Sequence, residues 1–156
     1  MANTRENSEI VKGSVLMLFI DDNNTYKPVA FATSHSLSVT VNTTEVSTKD
    51  HGAYPAVVAN TISWSVTTEN LYSDTSEAAL MALVKAKTPV HIKFAKASNW
   101  TDEGIVGNEN PEWTAASTVV AEGDALITSL SINAPAGDNA TMTAEFTGIG
   151  ALNEAE

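Results

Sequence analysis

Three histidines, a run of aspartates and a pair of tryptophans are the side chains with which this sequence could do chemistry. His35, His51 and His91 lie in separate segments, and none has the paired spacing of a metal-ligand set. Ser34–His35–Ser36 places a hydroxyl on each side of an imidazole. Neighbours along an extended strand point to opposite faces, so no proton relay forms there. Asp21, Asp22, Asn23 and Asn24 open like a calcium loop but lack the glycine at position six and the glutamate at position twelve, and they read as a turn. Trp100 and Trp113 fall in a loop-like stretch, 98–116, with Gly104, Gly107 and Pro111. Two such rings can form a flat platform for a sugar, or tuck under their own loop as a satellite cluster. There is no cysteine, and hence no thiol nucleophile, thiolate metal site or disulfide. No G-x-S-x-G elbow, phosphate loop or dinucleotide fingerprint occurs. These residues give no reason to expect an enzyme, a metal or a cofactor.

The elements that carry these side chains read as strands. At 156 residues the chain fits a single domain able to bury a core. Residues 1–12 are polar and of mixed charge, an arm outside that core; 13–150 form the domain, and 151–156 a short tail. The run from Gly13 to Ile20 is apolar almost throughout, as a strand covered on both faces would be. In a second strand, about 29–41, Leu37, Val39 and Val41 alternate with Ser36, Ser38 and Thr40. In a third, about 60–71, Ile62, Trp64 and Val66 alternate with Ser63, Ser65 and Thr67. The connection between them, 42–59, is far longer than an ordinary hairpin loop and holds Glu45, Lys49, Asp50, His51 and Tyr54. A helix follows over about 75–87, with Asp74 as N-cap, Glu77 three residues on, and Pro89 forbidding continuation. Pro89–Ala97 is another strand, and Gly123 marks a bulge or corner. A long hairpin then spans Ala125–Gly150. Leu126, Thr128, Leu130 and Ile132 share one face of its first strand, and Pro135, Gly137, Asp138 and Asn139 make its turn.

Charge is unevenly spread. The net charge is −11. Residues 97–156 hold ten acidic side chains and no Lys or Arg, against nine acidic and eight basic in 1–96. A basic nucleic-acid-binding surface is therefore excluded. Val15–Ile20 is too short to span a membrane and, flanked by Glu6, Glu9, Asp21 and Asp22, makes a poor signal peptide.

The C-terminal LITSLSINAPAGDNATMTAEFTGIGAL resembles the closing signature of the major tail tube proteins of tailed bacteriophages, in the branch with long non-contractile tails. An ITSLSI-like strand, a G-D-N turn, a T-x-T-A-x-F strand and a terminal G-x-G stand in that order. GSVLMLFID, AFATSHSLS, the strand at Trp64 and the helix near Glu77 sit where that family has them, so the resemblance covers nearly the whole chain. It implies a mainly β, sandwich or barrel-like fold of antiparallel strands with one flanking helix. It also implies stacked six-membered rings whose joined sheets form a channel for DNA leaving the capsid. The expected partners are further copies of the chain, a tape-measure protein and tail-terminator and distal tail proteins, with genomic DNA passing unbound and no membrane contact. The expected place is the virion, after synthesis in the host bacterial cytoplasm. On this reading Ser36, Ser38, Thr40, Ser63, Ser65 and Thr67 face the lumen, with Asp124, Glu145 and Glu122 as acidic contributors. Arg5, Lys12, Glu45, Lys49, Asp50, His51 and Tyr54 make contacts between subunits and rings. Two alternatives carry different expectations: a carbohydrate-binding β-sandwich using Trp100 and Trp113, and the inner tube of a contractile tail or phage-derived injection machine.

Overall fold

The computed structural model describes residues 13, 16–22, 24–29, 32–97, 100–101, 104–105 and 115–154. Period-two alternation resolves into antiparallel strands: β1 (Leu16–Asp22), β2 (Thr25–Pro28), β3 (Ala32–Glu45), β4 (Val57–Leu71), β5 (Val90–Ala97), β8 (Ala115–Asn133) and β9 (Thr141–Glu154). They form one sheet in the order β2-β1-β5-β8-β9-β4-β3. Two short strands, β6 (Trp100–Thr101) and β7 (Gly104–Ile105), pair only with each other. Between β4 and β5 lies α1 (Asp74–Ala86).

One face of the sheet is apolar. Trp64 and Val66 of β4, Ile92 of β5, Ala125 and Ile127 of β8, and Met142, Ala144 and Phe146 of β9 form a buried cluster, completed by Leu80 of α1. The helix lies against β8. The sheet curls on itself. His35 of β3 meets the Phe94 ring of β5 edge-on at 6.3 Å, although β8, β9 and β4 lie between those strands in the sheet. In β1 both Leu18 and Phe19 are fully buried, so that strand is covered on both faces.

Several boundaries differ from the sequence expectation. Asp21 and Asp22 are strand residues paired with Tyr26 and Thr25, and the chain reverses just beyond them, with Asn24 at φ 65°. The strand expected over about 29–41 is β3, which begins at Ala32, and Thr25–Pro28 ahead of it forms a separate strand, β2. The β3–β4 ladder continues to Glu45↔Val57, which shortens the connection from 42–59 to 46–56. The helix cap is Ser73, whose hydroxyl accepts from the Ser76 N–H at 3.2 Å; Asp74 is already helical. Lys87, in the left-handed region, closes the helix with its N–H on the Leu83 carbonyl. In β8 the register slips between Ile127 and Ser129, leaving Thr128 as an extra residue. The bulge reverses the alternation: Ile127 points inward before it, and Leu130 packs against the core after it. Residues 151–154, expected as a tail, extend β9, pairing Asn153 with Glu122 and Glu154 with Ala121.

Candidate channel and assembly surface

The face opposite the core is a field of hydroxyls. Cross-strand registers align them in rows that run through four strands. Ser34, Glu69, Thr143 and Ser131 form one row; Ser36, Thr67, Glu145 and Ser129 the next; Ser38, Ser65, Thr147 and Leu126 a third. Thr40 and Ser63 pair beyond these on β3 and β4. The structure thus gathers all six hydroxyl residues singled out in the sequence onto one surface with Glu145. Few long side chains interrupt it, and the hydroxyls bond among themselves. Thr128 and Thr147 lie 3.1 Å apart, and the Asn42 amide donates to Thr61 at 3.0 Å.

The acids of this face sit in two settings. Asp124 and Glu122 lie where β8 meets β5, beside His91 and Lys93. Asp124 is 2.9 Å from His91 Nδ1, and Glu122 is 3.6 Å from His91 Nε2 and 3.8 Å from Lys93 Nζ. Lys93 also stands 3.9 Å over the Tyr26 ring. Burial first, then the carboxylates of Asp21, Glu122 and Asp124, raises the Tyr26 phenol above its ordinary pKa. Glu145 is exposed between Thr67 and Ser129, with no ion pair among the described residues.

The four-stranded segment β8-β9-β4-β3 is bounded by two free edges. β3 pairs only with β4, and β5 leaves β8 at the Val90↔Ala125 pair. Residues 126–133 of β8 therefore have β9 on one side and no described strand on the other. Unpaired edges of this length are templates for a further strand.

The β3–β4 hairpin also outruns its cover. A 13-residue helix is about 20 Å long, whereas the 15-residue β4 spans about 50 Å. Past Trp64 nothing described covers the apolar face, and Val39, Val41 and Ile62 are exposed. Val39 and Ile62, together with Trp64, Leu152 and Glu154, line a groove of about 580 Å³. Its floor depends on glycine: the Trp64 indole lies against Gly148, where a Cβ would overlap the ring, and its Nε1–H donates to the Gly150 carbonyl at 3.1 Å.

At the distal end the connection is built from its own bonds. Val46 N–H donates to the Ala56 carbonyl, and Ala56 N–H to the Ser47 hydroxyl, both at 2.9 Å. A 3₁₀ turn carries Lys49, Asp50 and His51, where His51 Nδ1 accepts from the Thr48 N–H at 3.0 Å. Glu45 closes β3 beside it, and Tyr54 is 83% exposed. These five residues are thus gathered at one tip. Arg5, Lys12 and Trp113 lie outside the described residues, as does the side chain of Trp100. Sequence reasoning missed the exposed Val39, Val41 and Ile62, because their alternation looks the same whether or not a layer covers it. The mismatch between strand length and helix length was the available signal.

No group of three or more metal-ligating side chains comes together among the described residues, and none of their helices is long and apolar enough to cross a membrane. A hydroxyl-faced sheet bounded by free edges has the build of a wall that neighbouring copies can extend. Residues 11–154 match the family model described as phage tail tube protein. The chain belongs to that family, and it is a structural component of a phage virion tail. Among curated proteins none matches it in sequence. Several solved structures share the fold at low identity, among them the following three. The tail of an empty gene transfer agent particle, refined helically with C6 symmetry, is similar at TM-score 0.69 and 15% identity, covering 94% of this chain and 100% of that one. The virion of a native gene transfer agent particle is similar at 0.67 and 15%, with the same coverage. The SPP1 tail tube is similar at 0.66 and 11%, covering 94% of this chain and 80% of that one.

Proposed function

We propose that the chain polymerises into stacked rings of six, on the pattern of the C6 gene transfer agent tail, and that the four-stranded segment β8-β9-β4-β3 lines the lumen. The observation that carries this reading is the set of polar rows crossing four strands and ending in two free edges. Four antiparallel strands are an even number, so β3 and β8 run in opposite directions. Rotation about an axis along the strands then brings β3 of one copy antiparallel to β8 of the next, and the seam continues the ladder. Six copies give about 24 strands at ~4.8 Å spacing, a wall roughly 37 Å across at the backbone before strand tilt widens it. That leaves room for a DNA duplex.

The lining suits a conduit. Ser36, Ser38, Thr40, Ser63, Ser65 and Thr67 offer hydroxyls that bond to water or to each other, and Glu145 with Asp124 repels phosphate. A basic lining would hold the backbone by counterion release. DNA and the tape-measure protein pass this face without specific binding, while terminator and distal tail proteins meet the ends of the tube. Rings stack through the hairpin tip of Glu45, Lys49, Asp50, His51 and Tyr54, with Arg5 and Lys12 adding contacts. Their counterpart is the apolar groove beside Trp64 on a copy in the next ring. Charge favours that pairing: residues 97–156 carry no cation, so Lys49 brings the complement to Glu154. Negative-stain electron microscopy of the purified protein tests the reading. Hollow tubes or six-membered rings are expected, and monomers persisting at high concentration would overturn it.

A further inference from the structure

One polar cluster has no part in the channel wall, because it lies on the core side of the sheet. His35 of β3 and Thr68 of β4 are cross-strand partners, and Asn70 follows two residues along β4. Thr68 and Asn70 are fully buried. Both ring nitrogens of His35, the Thr68 hydroxyl and both amide atoms of Asn70 are buried without a hydrogen-bond partner. Buried polar groups ordinarily find partners, so five orphaned atoms in one place mark a strained spot in the core. It coincides with the closure of the sheet, where the His35 ring meets Phe94 of β5. A cavity of about 250 Å³ opens beside it, lined by Gly13, Leu16, Thr33, Ser34, His35 and Phe94.

The charges around this spot are few. β4 presents Thr68 and Asn70, β5 presents Phe94 and β1 presents Leu16, none of which titrates. Glu69 pairs with Ser34 and points to the polar face, as does Asp21 beside Tyr26. Lys96, the cross-strand partner of Leu16, is exposed and is a cation. No described carboxylate faces the imidazole from the core side. Burial lowers the His35 pKa below that of an ordinary imidazole. Neutral His35 packs on Phe94; the imidazolium would bring an unmatched charge into an apolar seam.

We propose that His35 is a proton-sensitive latch that holds the start of edge strand β3 closed against β5, and that protonation releases it. The direction follows from linkage. With the folded-state pKa lowered, the closing contribution is complete above the ordinary imidazole pKa and is lost as pH falls from there toward the folded value. The consequence for assembly rests on the proposed tube, since a released β3 would weaken the seam in acid. The latch itself lies within one chain and is measurable whether or not tubes form.

Hydrogen exchange read by mass spectrometry, normalised to intrinsic rates, compares wild type with His35→Phe between about pH 7.5 and about pH 5. Protection over Thr33–Leu37 is expected to fall at least about threefold further in wild type than in the variant, with the β8–β9 hairpin alike in both. The same pH dependence in both proteins would overturn the latch. Should His35→Phe fail to fold, ¹⁵N spectra of the wild-type imidazole decide. A titration midpoint below the ordinary imidazole value supports the latch, and one at or above it refutes it. Absence of tubes alongside a working latch would count against the assembly reading alone.

Discussion

Trp64 is the residue on which core and groove both turn. Its indole is 4% exposed, lies against Gly148, approaches Gly123 and bonds to the Gly150 carbonyl. Gly148→Ala would drive a methyl group into the ring, and the expected loss is about 1–3 kcal/mol in urea denaturation. Gly13→Ala, into open space, serves as the neutral control. None of this was legible in the sequence, because Trp64 and Gly148 lie on strands far apart in the chain. The hydroxyl face was legible, since alternation is local: Ser36, Ser38 and Thr40 share a face on any straight strand. The local rule failed at Thr128, where one extra residue exchanges the faces and puts Ile127 rather than Leu126 in the core. Asp124 and Glu145 looked equivalent in sequence, yet only Asp124 meets a histidine, because the β5–β8 register sets His91 beside it.

At the scale of elements the sequence predicts the helix but points to Asp74 as its cap, one residue beyond the true one. Asp74 and Glu77 resemble a capping box, but Ser73, with extended backbone, supplies the hydroxyl. Ser73→Ala is expected to cost about 1 kcal/mol in thermal or chemical denaturation, more than Asp74→Ala, which leaves that bond intact. The long connection is evident in the sequence from its length. Its true limits were hidden because Thr43, Thr44, Val57 and Val58 extend a ladder that no core residue announces. Those strands project with both faces exposed, so the tip contributes little to folding. Replacing residues 46–56 by an Asn-Gly turn should leave the circular dichroism spectrum and denaturation midpoint nearly unchanged while abolishing long polymers in electron micrographs. Loss of the fold in that variant would mean that the tip is structural rather than an assembly device.

For the whole molecule, the exposed apolar stripe, the free edges and the acidic C-terminal portion make little sense in a solitary chain. A monomer gains nothing by exposing Val39, Val41 and Ile62 beside a groove, or by leaving strand edges unpaired. A heterologous contact between copies explains all three, because one surface need not match itself. Fold class and family were legible in the sequence, through the closing strand–turn–strand signature and the hydroxyl alternation. The curl of the sheet was not, since it depends on how β3 and β5 meet across the core. The most direct measurement is cryo-electron microscopy of the assembled protein at a resolution that traces β3 and β4. The expected result is a continuous antiparallel wall with Ser36, Ser38, Thr40, Ser63, Ser65, Thr67 and Glu145 turned to the lumen. A tube with that face on its outer surface, or buried between subunits, would contradict it.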